Sequence, residues 1–278
     1  MDLKTAANNQ VVVTGPFDDV RSRHLRFLEE AARFGPVTVL LWPDQAVQAI
    51  TGQLPKFPLA ERLYFLNAVR YVSRALPQVS PVDAEAPPEL SGFHADIWVD
   101  EPSPANDARL AACRRRGLDY RVLPAEQLKG FPEPPAPPGV PGRKKVVVTG
   151  SYDWFHSGHV RFFEEVSAYG ELYVIVGHDA NIRLLKGQGH PLFPQEERRY
   201  LAGSIRYVAQ ALISSGEGWL DADPEIQRLK PDIYAVNEDG DRGGKREYCA
   251  RNGIEYLVLK RRPAPGLPER SGTDLRGF

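Results

Sequence analysis

The chain has 278 residues, 42% hydrophobic and 26% charged, with a formal net charge of −1. That length suits two domains with separate cores, and the near-zero charge excludes a general attraction to nucleic acid or to an anionic membrane. No apolar run approaches the roughly 20 residues of a membrane span. The opening MDLKTAANNQ has no signal-peptide core, and the two cysteines, Cys113 and Cys249, form neither a disulfide framework nor a zinc pattern, so a cytoplasmic, reduced protein is expected.

In chain order, VVVTG (11–15) reads as a buried strand, followed by the turn GPFDDVRSRH (15–24) and then by RFLEEAARFG, AERLYFLNAVRYV, HADIWV and CRRRGLDYRVL. The run FPEPPAPPGVPG (131–142) is too rich in proline for a helix or inner strand and reads as a linker. Beyond it the series recurs: VVVTG (146–150), RFFEEVSAYG (161–170), EERRYLAGSIRYV (196–208), KPDIYAV (230–236) and CARNGIEYLVL (249–259). The chain therefore reads as a repeat of itself, with domains at 1–130 and 144–278 joined by a linker at 131–143. The cysteines fall at equivalent places, which favours a structural role for both.

In the second half KVVVT, LYVIVG, DIYAV and EYLVL are short runs suited to buried parallel strands. The segment VRFFEEVSAYG spaces Val160, Phe163 and Val166 as a helix does, and 194–212, opening on Pro194, reads as a second helix. Strands alternating with helices predict an α/β fold of two tandem Rossmann-like domains, each a parallel sheet flanked by helices.

Ligands of such sheets sit beyond the carboxyl ends of the strands. The turn after the second VVVTG, Gly150-Ser151-Tyr152-Asp153-Trp154-Phe155-His156-Ser157-Gly158-His159, fills that place and opens a helix, whose free N–H groups suit phosphate. His156 and His159 point the same way on one turn and can donate to phosphoryl oxygens as charge builds in an in-line transfer. Gly158 lets a nucleotide approach the backbone. Asp153 is either an outer-shell partner of a metal ion or a cap of the turn. On histidine spacing alone, a helix start with two incidental imidazoles would fit as well.

The pattern G-x-x-D-x-x-H-x-G-H resembles the signature of the HxGH nucleotidyltransferase superfamily, in its cytidylyltransferase-like branch, over nearly all of residues 144–277. The resemblance implies roles for GHDANIRLLKGQGHPLFPQEERRYL: Lys186 at the phosphates, Arg198 near acceptor and triphosphate, and Asp179 at the mouth of the site. Outside it, Lys186 and Arg198 would be read as solvated surface charges. PERSGTDLRGF resembles the family's last motif, with Ser271, Gly272 and Thr273 presenting hydroxyls and N–H groups to the β- and γ-phosphates and Arg276 adding charge. NEDGDRGGK (237–245) stands where the family holds the base, with Asn237 and Asp239 as implied contacts; Asp239 and Asp241 would equally fit a role in solvating the loop. The implied reaction moves a cytidylyl or adenylyl group from CTP or ATP to a small phosphorylated alcohol or sugar and releases pyrophosphate. Mg2+ would be held mainly by the triphosphate rather than by protein ligands.

In the first half Arg21 stands where His156 stands, Arg23 where Gly158 stands, and only His24 matches; Lys186 and the S-G-T motif have no equivalents, although Arg62 matches Arg198. This half is expected to be a degenerate domain, acting in place of a dimer partner or holding an anion through Arg21, Arg23 and Arg62. The chain is thus expected to be a monomer with an internal pseudo-dimer or a homodimer. A nucleotide sensor without turnover is the alternative function. A dehydrogenase is disfavoured because G-x-G-x-x-G follows neither first strand.

Overall fold

The computed structural model describes residues 9–79, 82–83, 86–90, 92–133 and 139–275. The chain divides into two units, Met1–Gly130 and Phe131–Phe278. In the first, β1 (Val11–Gly15), α1 (Ser22–Ala32), β2 (Val37–Leu41), α2 (Asp44–Thr51), α3 (Leu59–Ala68), β3 (Val72–Pro77), β4 (Ile97–Asp100), α4 (Asn106–Arg116) and β5 (Asp119–Val122) build a parallel sheet ordered β3-β2-β1-β4-β5. Cys113, on α4, is fully buried beside Val12 and Trp98, and burial pushes its thiol up to about 11.

The second unit contains β6 (Lys145–Gly150), α5 (Ser157–Ser167), β7 (Glu171–Val176), α6 (Asp179–Lys186), α7 (Gln195–Gly203), β8 (Val208–Ile213), α8 (Asp223–Leu229), β9 (Ile233–Asn237), α9 (Lys245–Asn252), β10 (Glu255–Leu259) and the short turn α10 (Gly272–Leu275). Its sheet, β10-β9-β6-β7-β8, is parallel throughout and has the same connectivity as the first. Val146, Val147 and Val148 on β6 are fully buried, as the apolar strand of a sheet covered on both faces must be. The chain leaves β6 for β7 on one side and later returns to β9 on the other. The carboxyl ends of β6 and β9 therefore flank the crevice where such sheets take ligands. Cys249, on α9, lies fully buried against Val147 and Tyr234.

Two sequence expectations change. Segment 194–212 is not one helix: α7 ends at Gly203, where Ser204 returns its hydroxyl to the Tyr200 carbonyl, and 208–213 forms edge strand β8. A six-residue apolar run cannot be told from a buried helix segment by periodicity alone; here Val208 and Ala211 face the core beside β7. The proline-rich run also begins packed within the second unit, where the Phe131 carbonyl accepts from Arg199 at 3.0 Å and its ring lies 6.1 Å from Tyr200.

Each unit is tied at the same place by one buried arginine. Arg198 is fully buried; its guanidinium donates to the carbonyls of Phe193 (2.9 Å), Ser151 (2.6 Å) and Gly177 (2.8 Å) and to Asp179 Oδ1 (2.7 Å). It thus joins the loop after β6, the end of β7, the start of α6 and the loop before α7. Arg62 does the same in the first unit, donating to the carbonyls of Phe57, Pro16 and Trp42 and to Asp44 Oδ1. A carboxylate completes each tie. Asp153 Oδ1 accepts the Leu192 and Phe193 N–H groups at 2.7 and 3.1 Å, and Asp18 accepts those of Lys56 and Phe57 at 2.6 and 2.9 Å.

Removing the arginine of such a tie leaves several carbonyls and a partly exposed aspartate without their donor, at a cost of about 3–5 kcal/mol in all, given about 1–3 kcal/mol for each buried group left unpaired. Arg62→Met is therefore expected to lower unfolding free energy by roughly that amount, as read by urea denaturation. An unchanged midpoint would show that the tie carries no stability.

Candidate active site

The turn after β6 begins with backbone strain that has a visible purpose. Tyr152 adopts φ +48° and lays its ring over Gly150, where a Cβ would sit 2.9 Å from the ring. Phe17 takes φ +40° at the matching place in the first unit. Tyr152 then meets His159 edge-on, with ring centroids 5.4 Å apart, and Phe155 stacks on the same imidazole at 5.2 Å. The burial of Tyr152 raises its hydroxyl pKa far above the ordinary value.

The helix start fixes both histidines. His156 is the N-cap of α5, and its Nδ1 accepts the Gly158 N–H at 3.1 Å. His159 reaches back, so that its Nδ1 accepts the His156 N–H at 3.3 Å. The rings lie 4.0 Å apart between centroids and both line the crevice. An imidazole whose Nδ1 accepts a backbone N–H carries its proton on Nε2. Both rings are therefore neutral, with Nε2–H left to donate; among the described residues neither Nε2 has a protein partner. His178, which caps α6 in the same manner, instead has its Nε2 2.8 Å from the Gly216 carbonyl and is structurally committed.

The electrostatics agree with neutral rings. His156 is 3% exposed; burial, then the charges of Arg261 and Arg270, bring its pKa down to about 3. Burial, then His156, Arg261 and Lys186, holds His159 well below the ordinary range. The same cations favour an arriving anion.

Two adjoining cavities share His156, His159, Ser151, Asp239 and Arg261 in their walls. The smaller, about 170 Å3, runs under the end of β9 past Gly150, Tyr152, Gly158, Asn237 and Lys245. The larger, about 610 Å3, adds Asp153, Trp154, Lys186, His190, Arg242, Ser271 and Gly272. Lys186 donates to Ser151 Oγ at 2.8 Å. The backbone around Ser271 is brought to the start of α5, since a Cβ on Gly158 would lie 3.7 Å from the Arg270 carbonyl.

Not every expected residue faces this space. Arg198, expected near the triphosphate, is wholly occupied by its four acceptors, and Asp179, expected at the mouth, is its ion-pair partner; neither lines either cavity. Both act on the site by holding the backbone of its turn. Asp153 binds the 192–193 backbone through Oδ1 and also lines the larger cavity. The neighbour nearest to a Cβ on Gly158 is not open space for a nucleotide but His156 itself, at 2.9 Å from Cε1. The Thr273 side chain and all of Arg276 lie outside the described residues. In the first unit Arg62 is buried in its tie, while Arg21 pairs with Asp19 and Arg23 with Glu101. The three arginines thus meet carboxylates and carbonyls rather than a common anion site.

Sequence reasoning missed Arg261, which stands two residues beyond β10 and lines both cavities. It binds Asp239 Oδ2 at 2.7 Å and the Arg270 carbonyl at 2.6 Å. Its place at the carboxyl end of a parallel strand, in the run Lys260-Arg261-Arg262, was the available signal. Lys245, also missed, donates to the Gly240 carbonyl at 3.1 Å, and burial, then Arg242, lowers its pKa.

A parallel sheet whose switch point carries paired neutral imidazoles, a lysine and an arginine defines a site for moving a nucleotidyl group, and this chain is a nucleotidyltransferase. It belongs to the cytidylyltransferase-like family, whose sequence profile matches residues 147–275. It is 36% identical over 120 residues to the FAD synthase of Ferroglobus placidus, covering 42% of this chain and 75% of that protein. It is 39% identical over 134 residues to the FAD synthase of Methanospirillum hungatei, covering 47% and 82%. For the FAD synthase of Pyrococcus horikoshii the figures are 42% over 99 residues, covering 35% and 64%. Among the described residues no helix is long and apolar enough to cross a membrane.

Two outcomes follow. Because both imidazoles are harder to protonate folded than unfolded, their contribution to stability is complete above the ordinary histidine pKa of 6.5 and is lost as pH falls, for His156 down towards about 3. His156→Asn keeps an acceptor at the helix start but does not titrate, and is expected to show an acid slope shallower by up to about 1.4 kcal/mol per pH unit, measured by urea unfolding at several pH values. Gly158→Ala is expected to displace the His156 ring and cut turnover at least ~10-fold, equivalent to about 1.4 kcal/mol of lost transition-state stabilisation, while circular dichroism stays unchanged.

Proposed function

We propose that the second unit transfers the adenylyl group of ATP to the phosphate of FMN, forming FAD and pyrophosphate. The observation that carries this reading is the reciprocal capping of His156 and His159, which leaves two Nε2–H donors at cavities also lined by Arg261 and Lys186. Similarity to proteins named FAD synthase supports adenylyl over cytidylyl transfer and FMN over a smaller phosphorylated alcohol or sugar.

In this reading the base lies in the smaller cavity, beside Asn237, Asp239 and Lys245, and the phosphates run across the start of α5 towards Ser271. An oxygen of the acceptor phosphate attacks the α-phosphorus in line, and the bond to the β-phosphate bridging oxygen breaks. No enzyme nucleophile takes part. The two imidazoles donate to non-bridging oxygens as charge accumulates, without changing protonation state. Lys186 and Arg261 neutralise the rest, and the fixed donors spare reorganisation. Among the described residues no group of three or more His, Cys, Asp or Glu side chains could hold a metal. Mg2+ bound to the triphosphate oxygens would offset their charge.

The first unit is, in this proposal, the non-catalytic copy of a duplicated pair. It has the same strand order and the same buried arginine tie, yet carries Arg21 and Arg23 where the chemistry needs His156 and Gly158.

The full chain with Mg2+, ATP and FMN is expected to release pyrophosphate and yield FAD. Product only from CTP and glycerol 3-phosphate would replace this reading with cytidylyl transfer, and no product from any pair would overturn it. His156→Asn and Arg261→Met are each expected to slow turnover about 100-fold or more, read as pyrophosphate release.

A further inference from the structure

The catalytic scheme leaves Trp154 without a task, although it occupies the middle of the turn. Its stem is set by neighbours on both sides. Asp153, the preceding residue, is bound to the 192–193 backbone, and a Cβ on Gly272 would lie 3.8 Å from the Trp154 Cβ. The indole packs near Phe193, with centroids 5.9 Å apart and planes inclined by 60°. The side chain is half-buried and lines the larger cavity.

Among the described residues the other walls of that cavity are charged groups, hydroxyls, imidazoles and a glycine, so that Trp154 supplies its broadest apolar face. A phosphorylated alcohol or open sugar would gain nothing from such a face, whereas a flat heteroaromatic ring would stack on it, a contact worth about 1–3 kcal/mol. At about 610 Å3 the cavity falls within the ordinary range for ligands far larger than a three-carbon phosphate. Lys186, in the same wall, offers a cation for the phosphate end of such an acceptor. The matching position in the first unit is Asp19, engaged with Arg21; an indole stands at this place in the turn that carries the histidine pair and a carboxylate in the other.

We infer that Trp154 is the acceptor-specificity residue, its indole seating the planar ring of a heteroaromatic phosphomonoester whose phosphate is held at Lys186. This rests on the adenylyl-transfer reading above. It goes beyond that reading by assigning the acceptor to the larger cavity and its selection to one side chain.

The test compares wild type, Trp154→Leu and Trp154→Phe as full-length chains. FMN emission is titrated without ATP, and KM for FMN and for ATP is measured separately. Wild type is expected to quench flavin emission. Trp154→Leu is expected to lose most of the quenching and to raise KM for FMN roughly 10-fold or more, with KM for ATP within about twofold, and Trp154→Phe is expected to keep KM for FMN within about threefold. FAD formation with an unchanged KM for FMN in Trp154→Leu would overturn the inference and leave the adenylyl-transfer reading standing. Equal losses towards both substrates in both variants would show a structural role and overturn it too. No FAD from wild type would remove the reading and the inference together.

Discussion

The site depends on a pair of hydrogen bonds from the backbone to two rings. Donation from the Gly158 and His156 N–H groups to the Nδ1 atoms of His156 and His159 does three things at once. It caps α5, it selects the tautomer of both imidazoles, and it leaves the opposite nitrogens to serve a ligand. Burial and the nearby Arg261, Arg270 and Lys186 charges keep the rings neutral. The donors are thus formed before any phosphate arrives, which is the condition for electrostatic stabilisation without reorganisation. Gly158 belongs to this arrangement because a side chain there would collide with the His156 ring.

Behind the chemistry lies a scaffold that both units keep. Arg198 and Arg62 each gather carbonyls from separate loops and close on an aspartate, while Asp153 and Asp18 hold the loop before the following helix. Such ties preserve the fold of the turn whether or not it carries histidines. That explains how the first unit can present Arg21 and Arg23 and still build the same sheet. His24 serves the same local purpose there: its Nδ1 accepts the Arg21 N–H at 3.0 Å, as His159 Nδ1 accepts the His156 N–H.

Much of this was legible in the sequence. The two parallel sheets, the strand ends and the placement of His156 and His159 at one of them follow from apolar runs and from the rule that ligands sit at strand carboxyl ends. Lys186 and Ser271, which the family pattern singles out, both line the larger cavity. What the sequence hid were relations between distant segments. The acceptors of Arg198 are mostly backbone carbonyls, which have no signature in side-chain identity, so the residue pattern alone reads this buried guanidinium as a solvated surface charge. Arg261 escaped notice because its run looks like a solvated charge cluster until β10 is placed beside β9. Strand β8 was absorbed into the helix before it because six residues do not resolve the period. The crowding of Gly158 by His156 required coordinates.

The most direct test of the account is the protonation state of the two imidazoles, read by nitrogen-15 NMR of histidine-labelled protein with His156→Asn and His159→Asn for assignment. The account predicts that both rings carry the proton on Nε2, with Nδ1 unprotonated, and that neither titrates between about pH 5.5 and 8. A ring that titrates near 6.5, or that holds its proton on Nδ1, would contradict it, because the donor aimed at the phosphates would then be absent.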